Sequence, residues 1–181
     1  PFEEARALIT NEYLSVGDAN IIWYEIEYWL KKFDLAVTPD ELLDRYESYI
    51  ETLPGTHETL EVLKDKYTLV IASNAARIFV EKELMHTGLF QYFSHVVSAT
   101  TDYGMVKKEA SFYRRLCKML AVSTDEIIHI GDNLTFDFET PSGIGIEAYY
   151  FIPQEADDSE NIRRAYNGKT ISKIKEVLEK L

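Results

Sequence analysis

A chain of 181 residues with 46% hydrophobic and 13% aromatic side chains can bury the core of one ordinary domain, or a core with a smaller appendage, and is not a disordered polymer. Its 19 basic and 31 acidic residues leave a net charge of -12, which argues against a nucleic-acid partner while still allowing a local cluster of donors to hold a small anion. The single cysteine, Cys117, excludes an internal disulfide, and no apolar stretch reaches the roughly 20 residues that span a bilayer, so the expectation is a cytoplasmic protein with no membrane partner.

Residues 1–52 read as helices only. Ala7, Leu8 and Tyr13 begin an apolar stripe, and Ile21, Ile22, Tyr24, Ile26, Tyr28, Trp29 and Leu30 form a dense helical face. That face packs a helical core by the simplest reading, with Trp23, Tyr24 and Tyr28 as conceivable lining of a substrate cavity. Thr38-Pro39-Asp40-Glu41 is a helix start: a capping Thr, Pro at the first helical position and Glu three residues after the cap. Past Leu53-Pro54-Gly55 the pattern changes to alternation. Thr56 to Asp65 predicts a helix, Tyr67 to Ala72 a buried strand, Ala75 to Thr87 a helix, and His95 to Ser98 a second strand. Glu109 to Leu120 predicts a helix, Ile127 to Ile130 a third strand, Phe138 to Ser142 a short helix, and Ala148 to Phe151 a fourth strand. Asn161 to Tyr166 and Ser172 to Leu181 read as closing helices. Such alternation implies right-handed crossovers and an α/β fold with a doubly wound, Rossmann-like parallel sheet, whose ligands bind beyond the carboxyl ends of the strands.

What stands at those ends therefore matters most. After the first strand come Ser73 and Asn74, small polar residues at a helix entrance, a natural anion site and equally an ordinary helix cap. After the second strand, Lys107 and Lys108 open a helix N-terminus, where the dipole disfavours cations and a compensating anion is implied; a solvated lysine pair is the plain alternative. After the third come Gly131, Asp132, Asn133 and Asp137, two acids that suit a hard divalent cation or, more plainly, an exposed loop. The three signals occur in order, each at the end of its own buried strand.

In that arrangement the chain resembles the haloacid dehalogenase superfamily, most of whose members are magnesium-dependent phosphatases. Leu69-Val-Ile-Ala-Ser73-Asn74 matches the family's second motif. Gly104-Met-Val-Lys107-Lys-Glu-Ala-Ser-Phe112-Tyr113 matches the third and selects Lys107 over Lys108, although Lys108 and Ala110 stand where prolines are usual. Ile128-His-Ile-Gly131-Asp132-Asn-Leu-Thr-Phe-Asp137 matches the fourth. The resemblance implies a hydrolase core over residues 53–181 and a helical cap over 1–52. It also implies Mg²⁺ as cofactor, with Asp132 binding it directly and Asp137 supporting it, Ser73 and Asn74 holding a phosphoryl oxygen, and Lys107 neutralising the phosphoryl charge. Asn133 is a candidate helper.

The family's first motif, a strand ending in D-x-D-x-T whose first Asp is the nucleophile, has no convincing match; Asp18-Ala-Asn20 approaches it without a preceding apolar strand. The resemblance sets that strand upstream of Pro1 and in the middle of the sheet, and without it the strands ending at Ser73 and Gly131 would face a gap of about 10 Å. The expectation is a phosphohydrolase that attacks a small phosphorylated metabolite through an aspartyl-phosphate. The alternatives are a haloacid dehalogenase-type hydrolase, or a non-catalytic binding protein on the same fold. His57, His86, His95 and His129 are scattered, and His129, inside a strand, reads as packed rather than catalytic.

Overall fold

In the computed structural model, which describes residues 1–153, 165–166 and 168–181, every element between Pro1 and Ile50 is helical. Helix α1 spans Phe2–Val16, a 3-10 turn Ile21–Tyr24, α2 Ile26–Lys32, α3 Pro39–Asp44, and a second 3-10 turn Glu47–Tyr49. The predicted start of α3 is built as its chemistry requires. The Thr38 hydroxyl accepts the Glu41 N–H at 3.2 Å, and the Glu41 carboxylate accepts the Thr38 N–H at 2.8 Å.

The alternating region follows as α4 (Thr56–Lys64), β1 (Val70–Ser73), α5 (Arg77–His86), β2 (His95–Ser98), α6 (Ala99–Tyr103) and α7 (Ala110–Leu120). Next come β3 (Ile128–Gly131), a wide π-type helical turn at Leu134–Glu139, α8 (Thr140–Ser142), β4 (Glu147–Phe151) and β5 (Thr170–Ile171). Strand β1 begins three residues later than the apolar run predicts, β5 is an addition too short to show a pattern, and the last segment is a 3-10 helix, Ile174–Glu179. The helix expected over 161–166 falls almost wholly outside the described residues.

The strands form two hydrogen-bonded sheets, β1-β2 and β3-β4-β5. In the second, β3 pairs parallel to β4, with His129 opposite Ala148 and Gly131 opposite Tyr150, and β4 pairs parallel to β5. No described strand pairs with both β1 and β3.

Two units emerge, each discontinuous in sequence. The first joins residues 1–50, 71–90 and 96–107. Its core holds Trp29, Leu30, Val80, Leu84, Val97 and Ala99. Tyr13 stacks on Trp29 at 3.9 Å between ring centroids, and the Trp29 indole donates to the Trp23 carbonyl at 3.1 Å, so Trp29 is core packing with its polar atom satisfied. The second unit joins 51–70, 91–95 and 108–181. One face of α7 buries Phe112, Tyr113, Leu116 and Cys117, and Leu63 of α4 packs on Ile171 and Val177. Burial keeps the Cys117 thiol protonated.

Candidate active site

In the second unit, β3 ends at Gly131, and the chain turns through Asp132 and Asn133 into the π-type helix. Asn133 caps that helix by accepting the Phe136 N–H at 2.9 Å, and its own carbonyl accepts the Asp137 N–H at 2.8 Å. Asp137, only 3% exposed, is aimed back at the turn. Its Oδ1 takes the His129 Nε2 at 2.8 Å and the Lys108 ammonium, and its Oδ2 takes the Asn133 N–H at 3.1 Å. Gly131 is required by this packing, since a Cβ there would stand 2.6 Å from Asp137 Oδ2 and 2.7 Å from its Cβ. Tyr113, fully buried, donates its hydroxyl to the Phe136 carbonyl at 2.6 Å and sets its ring edge-on to His129, with centroids 5.2 Å apart.

The electrostatics follow from burial and pairing. Burial pushes the Asp137 carboxyl up, but the His129 hydrogen bond and the Lys108 charge more than offset it and leave it at about 2. Burial pulls the His129 imidazole down, and the neighbouring Lys108 charge adds to that, against the pull of Asp137. A second cation beside Lys108 is disfavoured, so His129 is a neutral Nε2–H donor and Lys108 supplies the charge. Burial, with the Asp137 carboxylate nearby, pushes the Tyr113 phenol far up, and it remains a donor.

Ser73, Asn74 and Lys107 belong to the first unit. Ser73 Oγ accepts the Ala75 N–H at 3.1 Å, closing a small turn after β1. Buried Ser98, at the end of β2, donates to the Ala75 carbonyl at 2.7 Å. Asp102 accepts the Ser98 N–H at 2.8 Å and holds the Arg77 guanidinium through both oxygens at 2.6 and 2.7 Å. The backbone after β1 is thus stapled to the start of α6. The Asn74 side-chain oxygen, by contrast, is buried with no hydrogen-bond partner among the described residues. Rotation of the amide would put its NH₂ in the same place. Gly104 ends α6 in the left-handed region, at φ 62°, and leads to Lys107. The Lys107 ammonium meets Asp18 at 2.5 Å, which raises its proton affinity and lowers that of Asp18. Asp18 itself lies on a turn after α1, not at a strand end. A cleft of about 460 Å³ in this unit is lined by Tyr24, Ile26, Arg77, Ile78, Glu81 and Thr101 among others.

Asp132 is exposed and makes no side-chain hydrogen bond or ion pair among the described residues. Asp137 is engaged on both oxygens, and no described group of three or more His, Cys, Asp or Glu could hold a metal ion. Magnesium needs only one or two protein carboxylates when waters and a substrate phosphate complete its shell. The donor set therefore fits a substrate-bridged Mg²⁺ at Asp132 and does not fit a metal caged by protein alone.

A family model described as haloacid dehalogenase-like hydrolase matches residues 3–145. The chain belongs to this family. It is 26% identical over 145 residues to the pyrimidine 5'-nucleotidase PynA of Streptococcus pneumoniae, a match covering 77% of this chain and 61% of the relative. It is 32% identical over 113 residues to the 5-amino-6-(5-phospho-D-ribitylamino)uracil phosphatase YigB of Escherichia coli, covering 62% of this chain and 45% of the relative. The chain thus spans less than two thirds of the length of either. A HAD phosphatase from Thermococcus onnurineus has the same fold, with a TM-score of 0.74 and 26% identity over 93% of this chain and 82% of that one. The α/β class and the superfamily read from the sequence stand. Among the described residues no helix is long and apolar enough to cross a membrane.

The family's motif register singles out Lys107, yet Lys108 is the lysine that reaches Asp137. Sequence reading also passed over Tyr113, Ser98, Asp102 and Arg77. The one available signal was polarity inside predicted apolar elements: His129 in a strand and Ser98 at the end of one.

Proposed function

We propose that the protein is a magnesium-dependent phosphohydrolase of small phosphorylated metabolites, with residues 1–52 as a helical cap over a core formed by 53–181. The observation that carries the reading is Asp132, an exposed carboxylate with no side-chain partner among the described residues, on a turn tied to Asp137 at the carboxyl end of a parallel strand. Asp132 would hold the ion, and Asp137 supports it through the turn. Mg²⁺ supplies charge neutralisation and orientation of the phosphate oxygens. Ser73, with the backbone N–H groups that follow it, donates to a phosphoryl oxygen, and the Asn74 amide, turned to present its NH₂, gains a partner when phosphate binds. Lys107 leaves Asp18 to neutralise the transferring group. In the family the phosphoryl group passes from the ester oxygen to an aspartate of the first motif, and water then cleaves the acyl phosphate to inorganic phosphate. The organic part of the substrate would lie in the cleft beside Tyr24 and Arg77. The named relatives favour a pyrimidine-bearing phosphate monoester.

The test is hydrolysis of p-nitrophenyl phosphate and of nucleoside monophosphates by the whole protein. Activity should require Mg²⁺ and disappear in Asp132→Ala. Turnover without metal, or full activity in that variant, would overturn the reading. Halide release from a 2-haloacid in the absence of Mg²⁺ would favour the dehalogenase instead.

A further inference from the structure

We propose that His129 is a positioning residue, which through Asp137 fixes the Gly131–Asn133 turn and so sets how tightly Asp132 holds a divalent cation. The inference rests on the phosphohydrolase reading for the role of Asp132, but its own geometry lies wholly within the second unit.

A strand that packs in a core has no need of an imidazole, and a buried polar group without a partner is costly. Among the described residues the His129 ring hydrogen-bonds to Asp137, at 2.8 Å. It is also held in place. Its backbone is paired to Ala148 in the β3–β4 ladder, and its ring lies edge-on to buried Tyr113 at 75°. Asp137 then divides its two oxygens between an anchor and a load. Oδ1 is anchored by His129 and Lys108, while Oδ2 carries the Asn133 N–H and leans on Gly131. Asp132 sits between those two backbone positions. Tyr113 clamps the far end of the same loop through the Phe136 carbonyl.

Lys108 already balances the charge of Asp137, so charge is not what His129 adds. An ammonium is a point charge on a flexible stem and leaves the carboxylate free to swivel. An imidazole donates along one direction from a fixed ring, and so selects the rotamer that presents Oδ2 to Asn133. Outer-shell partners of this kind are worth about 10–100-fold in metal affinity or activity.

The experiment compares the wild type, His129→Leu and His129→Gln in the whole protein. His129→Gln keeps an N–H donor, and His129→Met replaces His129→Leu where the latter does not fold. Two measurements are made: Mg²⁺ titration of the metal-free protein by calorimetry, and amide hydrogen exchange at Asn133 without metal. His129→Leu should weaken Mg²⁺ binding by about 10-fold or more. It should also speed Asn133 exchange by a similar factor, with the amide of Leu116 in α7 unchanged. His129→Gln should restore both to within about threefold. Wild-type Mg²⁺ affinity and Asn133 protection in His129→Leu would overturn the inference, as would a wild type that binds no Mg²⁺. A wild type that binds Mg²⁺ yet hydrolyses no phosphoester overturns only the phosphohydrolase reading, and the exchange measurement still decides the role of His129.

Discussion

The ends of β3 and β1 are built in opposite ways. After β3, each oxygen of Asp137 is engaged, and the turn that bears Asp132 is held by a buried carboxylate with partners on a strand, on the approach to α7 and on its own backbone. After β1, the backbone is stapled by Ser98, Asp102 and Arg77, but the Asn74 side-chain oxygen has no partner among the described residues. One end has its hydrogen bonds closed, and the other keeps hydrogen-bonding capacity in reserve. A metal site gains from the first design, because misplacing a ligand costs affinity. A phosphate site gains from the second, because a buried polar atom left unpaired in the free protein makes binding more favourable.

The comparison is tested most severely at the neighbouring lysines. Lys108→Ala leaves Asp137 buried with only the His129 ring and the Asn133 N–H and no countercharge, and should destabilise the fold by about 3–5 kcal/mol in chemical denaturation. Lys107→Ala should leave stability little changed, because its partner Asp18 is largely exposed, and should instead lower phosphatase kcat. Equal stability losses in the two variants would erase the contrast between the two ends.

Gly131→Ala comes next. The added methyl meets the Asp137 side chain, so either the carboxylate or the turn must move, at about 1–3 kcal/mol and with loss of Mg²⁺-dependent activity. A thermal melt and a Mg²⁺ titration read the two effects separately.

Acid should loosen the β3 end in two steps. The folded Asp137 carboxyl titrates at about 2, below its ordinary 3.8, so its contribution is full above about pH 4 and is lost as pH falls towards 2. That contribution is on the order of 2 kcal/mol. Burial also lowers the His129 value from its ordinary 6.5, so the unfolded chain binds the extra proton first and stability falls as pH drops below about 6.5. Urea midpoints measured from pH 7 to 2 should decline through both windows. In Asp137→Asn the lower step should vanish. An unchanged lower step in that variant would show that other carboxylates govern acid unfolding.

The smallest stability effect belongs to the β1 end. Asn74→Ala removes a buried atom that has no partner among the described residues, so stability should change by less than about 1 kcal/mol or rise slightly. KM for a phosphomonoester should nevertheless increase severalfold. A large loss of stability would mean that the Asn74 amide is already satisfied, and that the two ends are built alike.

Much of this was legible from local pattern. The apolar runs, the Thr38 capping box and the punctuation by Gly55, Gly104 and Gly131 determine where helices and strands form, because those choices depend on neighbours within a few residues. Ser73, Lys107 and Asp132 were legible as candidates because each stands just past such an element. The sequence by itself determined the fold class, the family and the chemical character of the strand ends. Only the tertiary structure decided which acid is locked and which is exposed, which lysine of an adjacent pair is buried, and that His129 has a partner. Those outcomes depend on side chains brought together from separate elements: Lys108 with Asp137, Tyr113 with His129, Ser98 with Ala75. A buried charge is tolerated only where such partners converge, and no local spacing records that convergence.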